Sequence, residues 1–163
     1  MDGRVFLVIL MRRTSTRRAS RRPLTKNLLL PMSPTRVRAL SLEHHLALAT
    51  VACGRGNVDL MVCLLKAVYM TFYLRGETSV DVDMRAVQRA EAALERCTDR
   101  AERGETWIML DTAKSAIERV LLLHDAQLAT TPTHRYLDAL DKLNRFACEG
   151  LASPIPAIPP VEA

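Results

Sequence analysis

The chain has 163 residues, a length typical of a single domain. Apolar residues make up 48% of it and charged residues 25%, which is ordinary for a soluble globular protein. Aromatic residues supply only 4% and glycine only six positions, so the core must be built from aliphatic side chains, Ala and Met. This palette favours helices packed on helices and argues against a β sandwich with many turns.

The net charge of +5 combines two parts of opposite sign. Residues 1–40 carry ten Arg or Lys against the single acid Asp2, whereas residues 41–163 carry thirteen basic and seventeen acidic residues. Residues 11–26 are basic and of low complexity, a composition that cannot bury a core. We therefore predict a disordered basic arm over residues 1–40, a helical domain over 41–150, and a disordered Pro-rich tail over 151–163.

The first helix of the folded part is predicted over Ser41–Ala52, with Ser41 as its N-cap. Its apolar positions include Leu42, Leu46, Leu48 and Val51. Residues 54–57 (GRGN) end it, because glycine favours the left-handed stop and asparagine can cap the helix that follows.

The second helix, predicted over Val58–Leu74, is apolar on nearly all sides, which is typical of the buried centre of a bundle. A membrane span needs roughly 20 apolar residues, and this shorter run carries Lys66 near its middle. We therefore predict no membrane partner. The large apolar surface of this helix also predicts a homodimer, if four short helices are too few to cover it.

Two amphipathic helices are predicted next. One starts after Ser79 or Asp81 and reaches Arg103, and the other runs over Thr106–Leu128, with Leu110 as its first inward residue. Both have apolar residues at the alternating three- and four-residue spacing of a bundle seam.

A last helix is predicted from Pro132 to Cys148. Thr131 is its expected cap, ahead of a proline at the first helical position, and Leu137 is expected to face inward. The chain is therefore predicted to be all-α, a four- or five-helix bundle whose short connections favour antiparallel neighbours.

The candidates for metal binding and catalysis are weak. The adjacent His44 and His45 point about 100° apart on a helix, and no His or Cys pair has the spacing of a zinc site. The motifs GxSxG, GxxxxGK[ST], GxGxxG and HExxH are absent from the sequence. We therefore predict no metal, no cofactor and no catalytic residues, and a chain that is not an enzyme.

The four cysteines lie far apart in the sequence and form no CxxC pair. They lie in or beside apolar helical stretches, where a free cysteine behaves as a small hydrophobic residue. The sequence predicts reduced core cysteines in a cytoplasmic protein. These cysteines are Cys53, Cys63, Cys97 and Cys148.

The basic arm is the candidate nucleic-acid-binding segment. Its arginines come as three pairs separated by small polar residues, a pattern that can contact phosphates without reading sequence. The alternative is a solvated arm with no ligand. The candidate phosphate-binding residues are Arg12, Arg13, Arg17, Arg18, Arg21, Arg22 and Lys26.

The charged outer face of the third predicted helix, with the adjoining end of the fourth, is the candidate surface for a protein partner. Arginine and glutamate alternate there between the apolar seam residues. The candidate partner-binding residues are Arg89, Glu95, Arg96 and Arg100.

Two segments carry a resemblance to known proteins: LSLEHHLALA (Leu40–Ala49) in the first helix and LLLHDAQLATTPTHRYLDAL (Leu121–Leu140) late in the chain. With the basic N-terminus ahead of them, their order resembles small helical accessory proteins of phages and prophages in β-proteobacteria, often labelled Fis-like transcriptional regulators. The resemblance implies an accessory protein that binds a host protein. The alternative is a transcriptional regulator that uses the basic arm, although the chain does not end in a basic recognition helix.

Overall fold

The computed structural model describes residues 25–149 and 153–156. Its described part is all-helical, as predicted, with one isolated bridge between Pro31 and Pro132 as its only extended pairing. The helices, in chain order, are α1 (Lys26–Leu29), α2 (Pro34–Ala52), α3 (Val58–Tyr73), α4 (Met84–Glu102), α5 (Asp111–Thr130) and α6 (Thr133–Glu149).

Helix α3 is the centre of the fold, as its nearly continuous apolar sequence predicted. It packs against α2, α4, α5 and α6, and nine of its sixteen residues are buried. Thr71, its buried polar residue, donates its hydroxyl to the carbonyl of Ala67, while the Thr71 carbonyl accepts from Gln127 of α5. None of the exposed large apolar residues of the described part lies on α3. The neighbouring helices therefore cover the surface on which the homodimer prediction was based.

Helix α2 begins at Pro34, seven residues before the predicted start at Ser41. Ser33 caps it, because its side chain accepts a hydrogen bond from the amide of Arg36. Pro34 follows at the first helical position, where the fixed φ angle of proline is the one that a helix has. The sequence interpretation was wrong here, because it passed over this serine–proline start in favour of a second serine downstream.

The last part of the predicted arm also belongs to the fold. Helix α1 packs against α6, and Met32 is buried in the core. The backbone and hydroxyl of Thr133 both donate to the carbonyl of Leu30 at 2.8 Å. Residues 25–40 are therefore ordered, which corrects the predicted boundary at residue 40. The remainder of the predicted arm lies outside the described residues.

Helices α4 and α5 begin later than predicted. Asp83 caps α4 by accepting from the amide of Arg85, so neither Ser79 nor Asp81 is the cap. Helix α5 begins at Asp111, because the preceding residues form an irregular segment that buries Met109 in the core. As a result Leu110, the predicted first inward residue, is 60% exposed.

Two details of α6 differ from the prediction. Thr131 donates its hydroxyl to the Gln127 carbonyl, so it closes α5 instead of capping α6, which starts at Thr133. Leu137 is 41% exposed and not inward, because Tyr136 and Ala139 occupy the buried face.

The described part of the Pro-rich tail docks on α4. Ile155 is buried, the Gln88 amide donates to the Pro156 carbonyl at 2.6 Å, and Ser153 donates its hydroxyl to the buried carboxylate of Glu91. This contact corrects the prediction of an extended, mobile tail for residues 153–156, and the rest of the tail lies outside the described residues.

The prediction that all four cysteines lie in the core was wrong. Cys97 is buried, but Cys53 and Cys148 are exposed because each lies at or near the last residue of a helix. Cys63 is half-buried, and burial raises the pKa of its thiol to about 11, with the nearby Glu43 carboxylate adding to the effect.

Candidate protein-binding groove

A groove lies between the second half of α4 and the segment that leads into α5. Its volume is about 270 Å³. Three arginines and one aspartate line it together with small and apolar side chains. The lining residues are Ala93, Arg96, Asp99, Arg100, Arg103, Leu110, Thr112 and Ala113.

Residues 108–110, of which Leu110 lines the groove, are held by α4. The Arg100 guanidinium donates through Nη2 to the Ile108 carbonyl, and the Cys97 thiol lies 3.7 Å from the same oxygen. Met109 enters the core between two residues that stay outside it: Ile108 is 50% exposed and Leu110 is 60% exposed. The buried Met109 therefore fixes two apolar side chains at the surface beside the arginines.

The groove has a net positive charge, since Asp99 is the one acid among its lining residues and Arg96, Arg100 and Arg103 are the bases. Arg103 also pairs with Glu105, at 3.2 Å between Nε and Oε1. The three arginines give the groove the charge that attracts a carboxylate.

The structure brings together only part of the predicted partner-binding set. Arg96 and Arg100 line the groove, whereas Glu95 is exposed on α4 but does not line it. Arg89 lies near the other end of the helix, with its Nη2 at 3.8 Å from the Asp83 carboxylate. The sequence interpretation missed Arg103 and the exposed Ile108 and Leu110.

A second groove of about 190 Å³ lies between the end of α3 and α6. Its lining has three basic and three acidic residues. One pair of them forms a salt bridge, with 3.4 Å between Nε of Arg135 and Oε2 of Glu77. This balance leaves little net charge to attract a partner. The lining residues are Tyr73, Glu77, Arg135, Asp138, Ala139, Asp141, Lys142 and Arg145.

A polar cluster joins α2 to α5. One oxygen of the Asp125 carboxylate accepts from the Ser41 hydroxyl at 2.9 Å and lies 2.9 Å from Nε2 of His45. Because the serine donates to the carboxylate and not to the histidine, the cluster lacks the serine–histidine bond that activates a nucleophile. Its geometry indicates a structural role, in which hydrogen bonds link α2 to α5.

Beside this polar cluster, His44 of α2 and His124 of α5 lie with their ring centroids 5.4 Å apart. Burial lowers the pKa of His124 to about 4, and the neighbouring His44 adds to the shift. Burial also lowers the pKa of His44. In the described part of the chain, no group of three or more His, Cys, Asp or Glu residues is placed to hold a metal ion.

The predicted phosphate-binding arginines of the arm lie outside the described residues. Lys26, the last member of that set, is exposed on α1. Over the residues described, no helix combines the length and the apolar character needed to cross a membrane.

Comparisons of the chain with protein-family models, with curated proteins and with solved structures gave no match.

Proposed function

We propose that this chain is a non-enzymatic protein that acts by binding another protein through the α4–α5 groove. The observation that carries the proposal is the pair Ile108 and Leu110, which are held at the surface beside three arginines. Exposed apolar side chains rimmed by charged groups are typical of protein-binding surfaces, and arginine is enriched at their energetic centres.

The chemistry of the groove favours one class of partner. Leu110 and Ile108 favour an apolar side chain, and the net positive charge of the groove favours a carboxylate close to it. We therefore propose that the partner presents a segment in which an apolar residue lies near Asp or Glu. The balanced charges of the α3–α6 groove make that groove the weaker candidate.

The resemblance to small phage and prophage proteins of β-proteobacteria supports a more specific role. We propose a cytoplasmic accessory protein of phage or prophage type whose partner is a host protein. The fold places the residues of the two resembling segments in contact, since Ser41 and His45 both bind Asp125. This contact concerns the fold and does not define the host target.

The groove chemistry is tested by selecting a displayed library of random peptides on the immobilised full chain. We expect enrichment of sequences with an apolar residue near Asp or Glu, and loss of that enrichment on the Leu110→Glu variant. Leu137→Glu is the matched control, because it introduces the same charge at an exposed leucine of α6. Enrichment of basic peptides, or equal enrichment on wild type and Leu110→Glu, would contradict the proposal.

The alternative function is nucleic-acid association through the basic arm, and the observation that favours it is the excess of nine positive charges in residues 1–40. The test compares DNA binding by the full chain and by a chain starting at Thr25, at low and moderate salt. A chain that starts at Thr25 keeps α1, which packs on α6. Binding that is salt-sensitive and lost with residues 1–24 supports the alternative, and its absence in both chains removes it.

A further inference from the structure

Helix α2 carries a second apolar face that points away from the core. Its buried side consists of His44, Ala47, Leu48 and Val51. The opposite side presents an outer seam, defined as Ala39, Leu42, Leu46, Ala49 and Cys53, and all five of these residues are exposed.

The outer seam has the spacing of a coiled-coil contact. Its members follow one another at three, four, three and four residues, the repeat that keeps one stripe facing a partner helix. Leu42 is 59% exposed and Leu46 is 55% exposed, and an alanine at each end of this pair lets a second helix approach closely. Within the described residues nothing buries these leucines, so the seam lacks a partner there.

The charges beside the seam point to a second copy of this chain as the occupant. Ala39 takes an a position of the heptad and Leu42 the d position that follows it. Arg38 is then a g position and Glu43 an e position, and both are exposed, on opposite flanks of the seam. In a parallel pair of α2 helices, such g and e positions five residues apart meet across the interface. Arg38 of each protomer would then lie beside Glu43 of the other, giving two attractive pairs.

Antiparallel pairing is less favourable on the same grounds. With Leu42 opposite Leu46, the two copies of Glu43 lie on the same flank near the symmetry axis and repel each other. The two copies of Arg38 have no acid opposite them, since the facing residue on that flank is Ala52. Charge complementarity therefore selects the parallel arrangement.

We propose that this protein forms a parallel homodimer through the outer seam of α2. The interface has one helix from each protomer, and its seam from Ala39 to Cys53 is about 21 Å long at 1.5 Å per residue. This size lies at the low end for protein interfaces, so the dimer is reversible, with a dissociation constant on the order of tens of micromolar. The proposal is independent of the α4–α5 groove, because none of the groove's lining residues lies on α2.

Sedimentation velocity of the full chain between about 5 and 500 µM tests the association, a range that spans the expected constant. We expect dimer to form with rising concentration, and Leu42→Glu to weaken it by about 100-fold, because each dimer loses two apolar contacts and gains two buried charges. Leu137→Glu on α6 is the matched control and should leave the constant unchanged. A monomer at every concentration, or equal effects of the two substitutions, would overturn the proposal.

A charge swap tests the pairing. Arg38→Glu alone and Glu43→Arg alone should each weaken the dimer, since each places like charges beside each other. The double variant should recover most of the wild-type affinity, because the two pairs are restored with reversed polarity. Failure of the double variant to recover overturns the parallel arrangement.

Cys53 reports the orientation directly, because it is an exposed member of the seam. In the Cys148→Ser background, diamide accepts two electrons and two protons from a pair of thiols and leaves a disulfide. A parallel dimer brings the two Cys53 thiols together and should cross-link, whereas antiparallel pairing leaves them about 27 Å apart along the helix axis. Cross-linking that is lost in Cys53→Ser supports the proposal, and its absence at dimer-forming concentrations refutes it.

Discussion

The buried histidine pair makes the stability of this fold sensitive to acid. His124 is 1% exposed, lies against the ring of His44, and its Nδ1 has no hydrogen-bond partner among the described residues. Burial, with His44 as the second cause, lowers the pKa of His124 from the ordinary 6.5 to about 4. The folded protein therefore holds this imidazole neutral at pH values where an unfolded chain protonates it.

The sign of the effect follows from proton uptake. Because the folded pKa lies below the unfolded one, the unfolded chain takes up the proton first as the pH falls. The contribution of neutral His124 to the free energy of unfolding is therefore fully present above about pH 6.5. It is lost progressively as the pH falls to about 4. With these two pKa values, the loss between pH 8 and pH 5 is about 2 kcal/mol of the free energy of unfolding. His44, whose pKa burial lowers as well, adds a loss of the same sign.

Urea unfolding followed by circular dichroism at pH 8 and pH 5 measures this loss. We expect His124→Asn, which cannot take up the proton, to lose about 2 kcal/mol less than wild type over this interval. Glu91 has a raised pKa and acts in the opposite direction, because it favours the fold as the pH falls. Its effect is common to both proteins and cancels in the difference.

His134→Asn is the matched control, because His134 is half-buried and bonds through Nδ1 to the Leu28 carbonyl at the surface of the α1–α6 contact. It leaves the His44–His124 pair in place, so the loss that this pair causes should remain. Equal losses for wild type and His124→Asn between pH 8 and pH 5 would refute the assignment of a low pKa to His124.

Three substitutions test the packing by urea unfolding at pH 8. Leu64→Ala should cost about 2–5 kcal/mol, since it empties a fully buried site of the central helix, and a loss below 1 kcal/mol would contradict that placement. Ser33→Ala should cost about 0.5–1 kcal/mol through the lost cap of α2, and an unchanged stability would contradict this cap. Gly56→Ala should cost about 1–3 kcal/mol, because the added carbon would lie 2.6 Å from Cβ of Trp107, and an unchanged stability would show that this loop moves freely.

The central helix could be predicted from the sequence, because a helix that is apolar on nearly all sides has few places other than a core. Val58 and the Asn57 cap were predicted correctly, and the end differed by one residue. The glycine turn before α3 is another local signal, and Gly54 has the positive backbone angle, φ 73°, that favours glycine.

The outer seam of α2 could not be predicted, because α2 has apolar residues on two faces. Periodicity finds both faces, but it cannot say which one meets the core. Four apolar positions of this helix were named from the sequence without being divided between faces. The structure buries Leu48 and Val51 and leaves Leu42 and Leu46 exposed. Only the packing against α3 and α5 decides between the two faces.

Part of the lining of the α4–α5 groove could be predicted from the sequence. Arg96 and Arg100 follow from the charged face of an amphipathic helix, which can be read from spacing alone. The apolar half of the groove could not be predicted, because Leu110 continues the seam spacing of α5 although it lies just outside the helix. The burial of Met109 ends the helical pattern there, and that is a tertiary effect.

The most direct test of the proposed function is quantitative capture from a β-proteobacterial host lysate on three immobilised chains: wild type, Leu110→Glu and Leu137→Glu. We expect at least one host protein to be enriched equally by wild type and Leu137→Glu and to be lost with Leu110→Glu, because only that substitution changes the α4–α5 groove. Identical sets of captured proteins on all three chains would contradict binding through this groove.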